Sequence, residues 1–329
     1  MQKMSTDLIR HVASGPTMGT RWSAIYYAPP HAPIAAIGRA LAASVNSVDR
    51  QMSSWNDASD LSVLNAAPLR RWQPISREML EVIECGLHVG TLSRGAFDIG
   101  MGDAVGAWGF DPRDADARAI GRVLGAPRAP ANQRLEIDGE KLRLRKTSPI
   151  TLDLGGIAKG YGVDRLADTL VEFGIDHALA CIDGELRAIG AQPDGGPWAI
   201  AIERPEEGIR APFSILELAD ASVATSGDYR HFVTLGERRF SHTMSPVRGG
   251  PVDNDLASVT VVTETCMEAD AWATALMVLG PELGPDVARM RGLNALFIRR
   301  CQDGLIQKGT GPIFQSVETD TATECLAAD

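Results

Sequence analysis

The stretch TLDLGGIAKGYGVDRLADTL (residues 151–170) places one acid, a glycine pair and a lysine where an apolar run meets a helical pattern. TLDLGG reads as a buried strand carrying Asp153, turning at Gly155-Gly156. From there Ile157, Tyr161, Leu166 and Leu170 recur at helical spacing, and Gly174 closes the helix. A turn entering a helix offers unpaired backbone N–H groups at the positive end of the helix dipole, which attracts phosphate or carboxylate. Glycine lets that backbone come close to a ligand, and Lys159 adds a cation. The pattern is neither GxxxxGK[ST] nor GxGxxG, and the separate GMGDAVG also misses the latter spacing. A second reading stands beside this one: the glycines only make a tight turn, and Asp153 bonds neighbouring amides.

Working outward, RWSAIYYA (residues 21–28) predicts an opening strand, broken by the proline-rich PPHAP. Ile37, Leu41, Val45 and Val48 predict a helix over 35–52, and Ser76 is an N-cap for a second helix with Leu80, Ile83 and Leu87 on one face. Asp138-Gly139 and Asp183-Gly184 are hairpin turns between short strand-like pieces. WAIAIE, SILEL, ASVTVV and LNALFIRR supply further strands, and CMEADAWATALMVLG is a helix stopped by Gly280. Hairpin-paired strands interleaved with a few long helices predict a mixed α/β (α+β) fold with mixed or antiparallel sheets and flanking helices, forming one two-lobed unit. The last ~15 residues are polar and acidic with small side chains and predict a loose tail over 313–329.

Bulk properties narrow the function classes. The chain has 329 residues, 44% hydrophobic and 22% charged, with a net charge of −10 from 42 acids against 32 bases. No basic run could neutralise a row of phosphates, so a nucleic-acid partner is not expected. Five scattered cysteines without CxxC spacing argue against a disulfide framework or a zinc site. No stretch approaches the ~20 apolar residues of a membrane span, and residues 1–20 lack the apolar segment of a signal peptide. A cytoplasmic location is therefore expected, unless a trimmed N-terminus has removed an export signal.

Three further segments bear on chemistry. In EADAWATALMVLG, Asp270 and Thr274 stand at i and i+4 on one helix face, an oxygen pair that suits a hard cation such as Mg²⁺. The alternative is a satisfied surface Asp and a Thr bonded back to its own helix. His242 precedes the Pro- and Gly-rich loop of FSHTMSPVRGGPV, where binding residues tend to sit, though a lone histidine is often structural. TMGTRW, MSSWNDASDLSVLN and FDIGMGDAVGAWGF carry Met and Trp residues able to stack on a flat ring, or to fill a core.

In order along the chain, TMGTRW, MSSWNDASDLSVLN, FDIGMGDAVGAWGF, LDLGGIAKGYGVD, SHTMSPVRGGPV and ADAWATAL together resemble the FAD:protein FMN transferase family, also called ApbE-like. The match runs from about residue 15 to about residue 300. It implies a transferase domain over 15–312, preceded by an extension at 1–14 and followed by the tail at 313–329. It also implies a flavin cleft between two lobes, in which Mg²⁺ bridges the FAD pyrophosphate. FMN would pass to a Thr or Ser hydroxyl of an acceptor flavoprotein, with release of AMP. Carried over position by position, Asp270, Thr274 and the Gly156 carbonyl are the implied metal ligands. Met18, Trp55, Ala107, Trp108, Gly109, Asp153, Lys159 and Met244 are the implied flavin contacts, and His242 stands beside the reaction centre. Two departures from the family pattern stand out: in the loop Ser245 replaces a carboxylate and Arg248 a threonine, and Trp55 stands where Tyr is frequent. The altered loop leaves two alternatives, an FAD pyrophosphatase using water as acceptor and a non-catalytic FAD-binding protein.

Overall fold

Eight strands hydrogen-bond side by side in the order in which they follow one another along the chain. In the computed structural model, which describes residues 8–229, 232–235, 238–302 and 304–317, they are Ile9–Thr17, Thr20–Ala28, Ala178–Ile182, Glu185–Ile189, Ser222–Gly227, Leu256–Thr263, Asn294–Cys301 and Gly304–Thr310. Every ladder between them is antiparallel. The sheet therefore belongs to the antiparallel branch of the expected fold class. Alternation along Thr20–Ala28 shows how the layers form: Trp22, Ala24, Tyr26 and Ala28 face one side, Ile25 and Tyr27 the other.

Helices cover the first face. They are α1 (Ile34–Met52), α6 (Ala158–Glu172) and α7 (Cys266–Arg291), with α1 packed on α6, α6 on α7, and α7 on the Ser222–Gly227 and Leu256–Thr263 strands. Ile37, Leu41, Val45, Leu166 and Leu170 meet the inward side chains of the Thr20–Ala28 strand in one apolar cluster. The second face is closed by a separate hairpin, Trp198–Glu203 with Pro212–Leu218, whose Trp198, Ile200, Leu216 and Leu218 pack on Val223, Leu296 and Ile298. Leu256–Thr263 lies under both layers, which explains why all of it but the last residue is buried.

The second lobe is an excursion between α1 and α6. It contains α2 (Asp60–Ala66), α3 (Arg77–Leu92), α4 (Gly102–Ala107), α5 (Ala117–Val123) and a small sheet in which Leu135–Asp138 and Gln73–Pro74 flank Arg143–Lys146. Ser59 and Ser76 cap α2 and α3 by accepting the N–H groups of Ser62 and Met79.

Several expectations need correction. TLDLGG joins no sheet, because other partners take its backbone groups. Asn65 donates to the Leu152 carbonyl and accepts the Leu152 N–H, Gly102 N–H bonds the Thr151 carbonyl, and Asp153 N–H bonds the Ile99 carbonyl. The first strand starts at Ile9, inside the stretch expected to be an extension, and pairs along its whole length with Thr20–Ala28. Gly280 does interrupt its helix (φ 80°), but Pro281, whose ring suits a helix start, begins a second segment that runs on to Arg291. Pro312–Val317 forms a short 3₁₀ turn whose Phe314 is buried, so the packed part of the chain extends past 313. The rest of the expected tail, 318–329, lies outside the described residues. Cys85, Cys181, Cys266 and Cys301 are free thiols, and Cys325 lies outside the described residues.

Candidate active site

A cleft of about 1100 Å³ lies between the two lobes. Its floor is the place where the N-terminal turns of α6 and α7 cross. Gly160 has no side chain there: a Cβ would sit 2.3 Å from the Cys266 carbonyl and 2.8 Å from the Asp270 Cβ. At the crossing each helix supplies the other's missing hydrogen bonds. Asp270 of α7 accepts the Gly160 N–H of α6 at 3.0 Å. Asp164 of α6 accepts the Cys266 and Met267 N–H groups of α7 at 2.9 and 2.8 Å. The positive helix end read from the glycine-lysine stretch is thus faced by a carboxylate of the protein itself. Arg187 holds Asp164 from the sheet side at 2.8 Å.

Asp270 is buried, and burial pushes its carboxyl above the ordinary range. Glu185 adds to that push, while Lys159 and the Gly160 N–H oppose it. Lys159 extends along the floor and pairs with Glu185 at 2.8 Å and Asp183 at 3.5 Å. Burial alone would lower the pKa of this ammonium, but Glu185, Asp270 and Asp183 outweigh it and hold the group charged. Thr274, one turn along α7 from Asp270, lies 3.2 Å (Oγ1) from the Ser226 hydroxyl. A Cβ on Gly156 would come within 3.0 Å of that Thr274 oxygen, so the glycine turn lies directly against it. The other floor carboxylate, Asp153, is raised to about 6 by burial, with the Gly155 N–H pulling down and Asp111 pushing up.

Hairpin turns frame the cleft. Met18 and Gly19, both at positive φ, close the first hairpin, and Asp183 and Gly184, also both positive, close another. Both pairs suit the twist of a two-residue hairpin, and both line the cleft. Trp55 stands at the wall with 67% of its surface exposed. His242 also lines the cleft, with its ring 6.4 Å from that of Phe110.

Of the positions singled out in the sequence, Met18, Trp55, Gly109, Asp153, Gly156 and Lys159 line the cleft, as do His242, Met244, Asp270 and Thr274. Ala107 and Trp108 do not. Ala107 ends α4 in the core, and Trp108 packs against Phe240 and Met244, forming the layer behind the wall. Glu185, Ser226, Gly160, Asp164 and Asn65 had no place in the sequence reading. Glu185 flanks the recognised Asp183-Gly184 turn, which was a usable signal. The Asp164 and Asn65 contacts span 102 and 87 residues and leave no local trace.

The altered loop is braced without a carboxylate at position 245. Met244–Ser245 pairs with Gly250–Pro251, Gly249 N–H bonds the Ser245 carbonyl, and Arg248 pairs with Asp253 at 3.0 Å. No cluster of three His, Cys, Asp or Glu side chains fit to hold a metal occurs among the described residues. A cation on this floor would therefore draw on fewer than three such side chains, with neutral oxygens completing its shell. Asp270, Thr274 and the backbone at Gly156 converge as such a hard-oxygen set, and that donor chemistry fits Mg²⁺.

Comparison with known proteins gives a consistent picture. A FAD:protein FMN transferase of Vibrio cholerae serotype O1 is 37% identical over 294 residues, covering 88% of this chain and 88% of its own. One from Escherichia coli strain K12 is 32% identical over 311 residues, covering 93% and 88%. Among solved structures, the flavin transferase ApbE from Vibrio cholerae superposes with a TM-score of 0.82 at 33% identity, over 94% of this chain and 99% of that one. The apo flavinyl transferase ApbE of Pseudomonas stutzeri gives 0.82 at 35%, over 94% and 97%. The ApbE family model matches residues 18–297, and the chain belongs to the ApbE family.

Proposed function

We propose that this chain is a Mg²⁺-dependent FAD:protein FMN transferase. The observation that carries the reading is the convergence of Asp270, Thr274 and the Gly156 turn beside Lys159 on the floor of a cleft large enough for a dinucleotide. Its relatives in Vibrio cholerae and Escherichia coli bear that name.

Asp270, Thr274 and the Gly156 carbonyl would hold Mg²⁺, which when bound supplies Lewis-acid neutralisation of the pyrophosphate charge. The chain's own groups do the rest. Lys159, kept charged by three carboxylates, offsets phosphate charge, and Trp55 and Met18 offer faces to the flavin ring. Phosphoryl transfer depends mainly on positioning and electrostatics, so no Ser or Cys nucleophile of this chain is required. The attacking oxygen is the Thr or Ser hydroxyl of the acceptor protein. Its bond to the FMN phosphorus forms as the bridging P–O bond breaks, and the bridging oxygen departs with AMP. His242 takes the hydroxyl proton.

The test incubates the protein with FAD, Mg²⁺ and a peptide carrying a D-x-x-S/T-G-A-T segment. The expected products are AMP and a peptide heavier by FMN. Free FMN and AMP with unmodified peptide would make the chain a pyrophosphatase, and FAD bound without turnover would make it a binding protein.

A further inference from the structure

One carboxylate oxygen on the cleft floor has no hydrogen-bond partner among the described residues. Glu185 begins the Glu185–Ile189 strand, is 3% exposed and lines the cleft. Its Oε1 accepts the Lys159 ammonium at 2.8 Å. Its Oε2 is closed off from water and accepts no hydrogen bond. A buried carboxylate oxygen left unpaired keeps its desolvation cost with nothing to offset it, so an orphan of this kind asks for a donor. No other side chain of the floor supplies one: Lys159 is already engaged with Glu185 and Asp183, and Thr274 with Ser226. The last torsion of a Glu side chain is soft, so a partial turn would bring Oε2 out to a hydroxyl in the cleft while Oε1 stays beside Lys159.

The geometry points to Glu185 as a substrate-binding residue that accepts a sugar hydroxyl of the dinucleotide next to its pyrophosphate. This rests on the flavin reading above and adds the chemistry of a subsite to it. A phosphate oxygen is excluded as the partner, since it carries no proton and would meet a carboxylate. Hydroxyls are the donors that flank a dinucleotide pyrophosphate on both sides, and carboxylates elsewhere accept ribose hydroxyls in nucleotide sites. Lys159, bonded to the same carboxylate, places Glu185 within one side chain of the phosphate-facing floor. The hydroxyl comes either from the adenosine ribose or from the ribityl chain of the flavin.

The experiment is a binding cycle on the intact protein with Mg²⁺. FAD binding by flavin fluorescence comes first; if the wild type does not bind FAD, the flavin reading and this inference fall together. Affinities are then compared for ADP against 2′-deoxy- and 3′-deoxy-ADP, and for FMN against its deoxyribityl analogues. The expected result is a loss of about tenfold or more for one deoxy ligand with the wild type. That loss should vanish in Glu185→Ala and shrink in Glu185→Gln, which keeps a neutral acceptor and guards against misfolding. The arm showing the effect identifies the hydroxyl. A deoxy penalty that persists unchanged in both variants would mean that Glu185 only holds Lys159, and would overturn the inference. FAD binding with no deoxy penalty in either arm would overturn it as well, leaving the flavin reading intact.

Discussion

The floor and the rim of the cleft are built by opposite means. At the floor two helices touch backbone to backbone through Gly160, and each carries the carboxylate that completes the other's first turn. At the rim, Trp55 is two-thirds exposed, and the loop after His242 is held by a two-residue ladder and the exposed Arg248–Asp253 pair. The floor buries Asp270, Glu185 and Asp164, where each interaction is strong. The rim leaves broad surfaces open, as suits a site that must admit a second protein. Substitutions at the floor should therefore damage fold and chemistry together, and those at the rim should separate affinity from stability.

The largest effect is expected for Asp270→Ala. It removes the only carboxylate of the proposed metal set and leaves the Gly160 N–H unpaired. AMP release from FAD should fall by about 10³-fold, the order typical for loss of a central charge-stabilising group; retention of activity within tenfold would separate the floor from the chemistry. Next is Gly160→Ala. Its methyl would meet the Cys266 carbonyl, and the cost of overpacking should be about 1–3 kcal/mol by urea titration. An unchanged denaturation midpoint would show that the crossing is looser than described.

Asp153→Asn sharpens the comparison through pH. Burial raises the folded-state pKa of Asp153 to about 6, so the folded protein holds this proton more tightly than the unfolded chain. The carboxyl's contribution is most favourable at low pH and is lost as pH rises through about 6. Asn, which never ionises, should therefore be more stable than the wild type at pH 8, with the gap closing by about pH 4. A gap that widens on acidification would refute the assignment. The smallest effect belongs to the rim: Trp55→Phe should leave stability within ~0.5 kcal/mol and keep FAD binding within a few-fold, while Trp55→Ala weakens FAD by about tenfold. Equal binding by both variants would remove Trp55 from the flavin site.

Much of this architecture was legible in the residues. Periodicity located α1, α3 and the first half of α7, and the two Asp-Gly pairs located hairpins, because these features depend on neighbours in the chain. The residues 151–154 misled for a physical reason: an alternating apolar run satisfies a strand pattern, but the Asn65 amide took the backbone groups that a neighbouring strand would have bonded. Ile9–Thr17 was missed because its alternation is faint, with exposed positions on one side throughout. At the site, the i, i+4 spacing picked out Asp270 and Thr274, while Gly156 entered as a metal ligand only through the family resemblance. The crossed carboxylates and Glu185 came only from the fold, since nothing near Asp164 in the chain indicates a helix start 102 residues away.

The sheet whose spatial order copies the chain order also has one long interruption. Thr20–Ala28 pairs directly with Ala178–Ile182, yet about 150 residues, including the whole second lobe, are made between them. On the ribosome the first hairpin would emerge early and wait with an unpaired edge, the kind of edge that invites pairing with other chains. At typical synthesis rates of ~5–20 residues per second that wait lasts on the order of ten seconds. The second lobe meanwhile lacks part of its apolar cluster, because Val259, Trp272, Leu276 and Phe297 are made only later. Vectorial synthesis thus assigns this protein a vulnerable interval, which Ala178–Ile182 ends before α7, the second helix of the active-site floor, has been made.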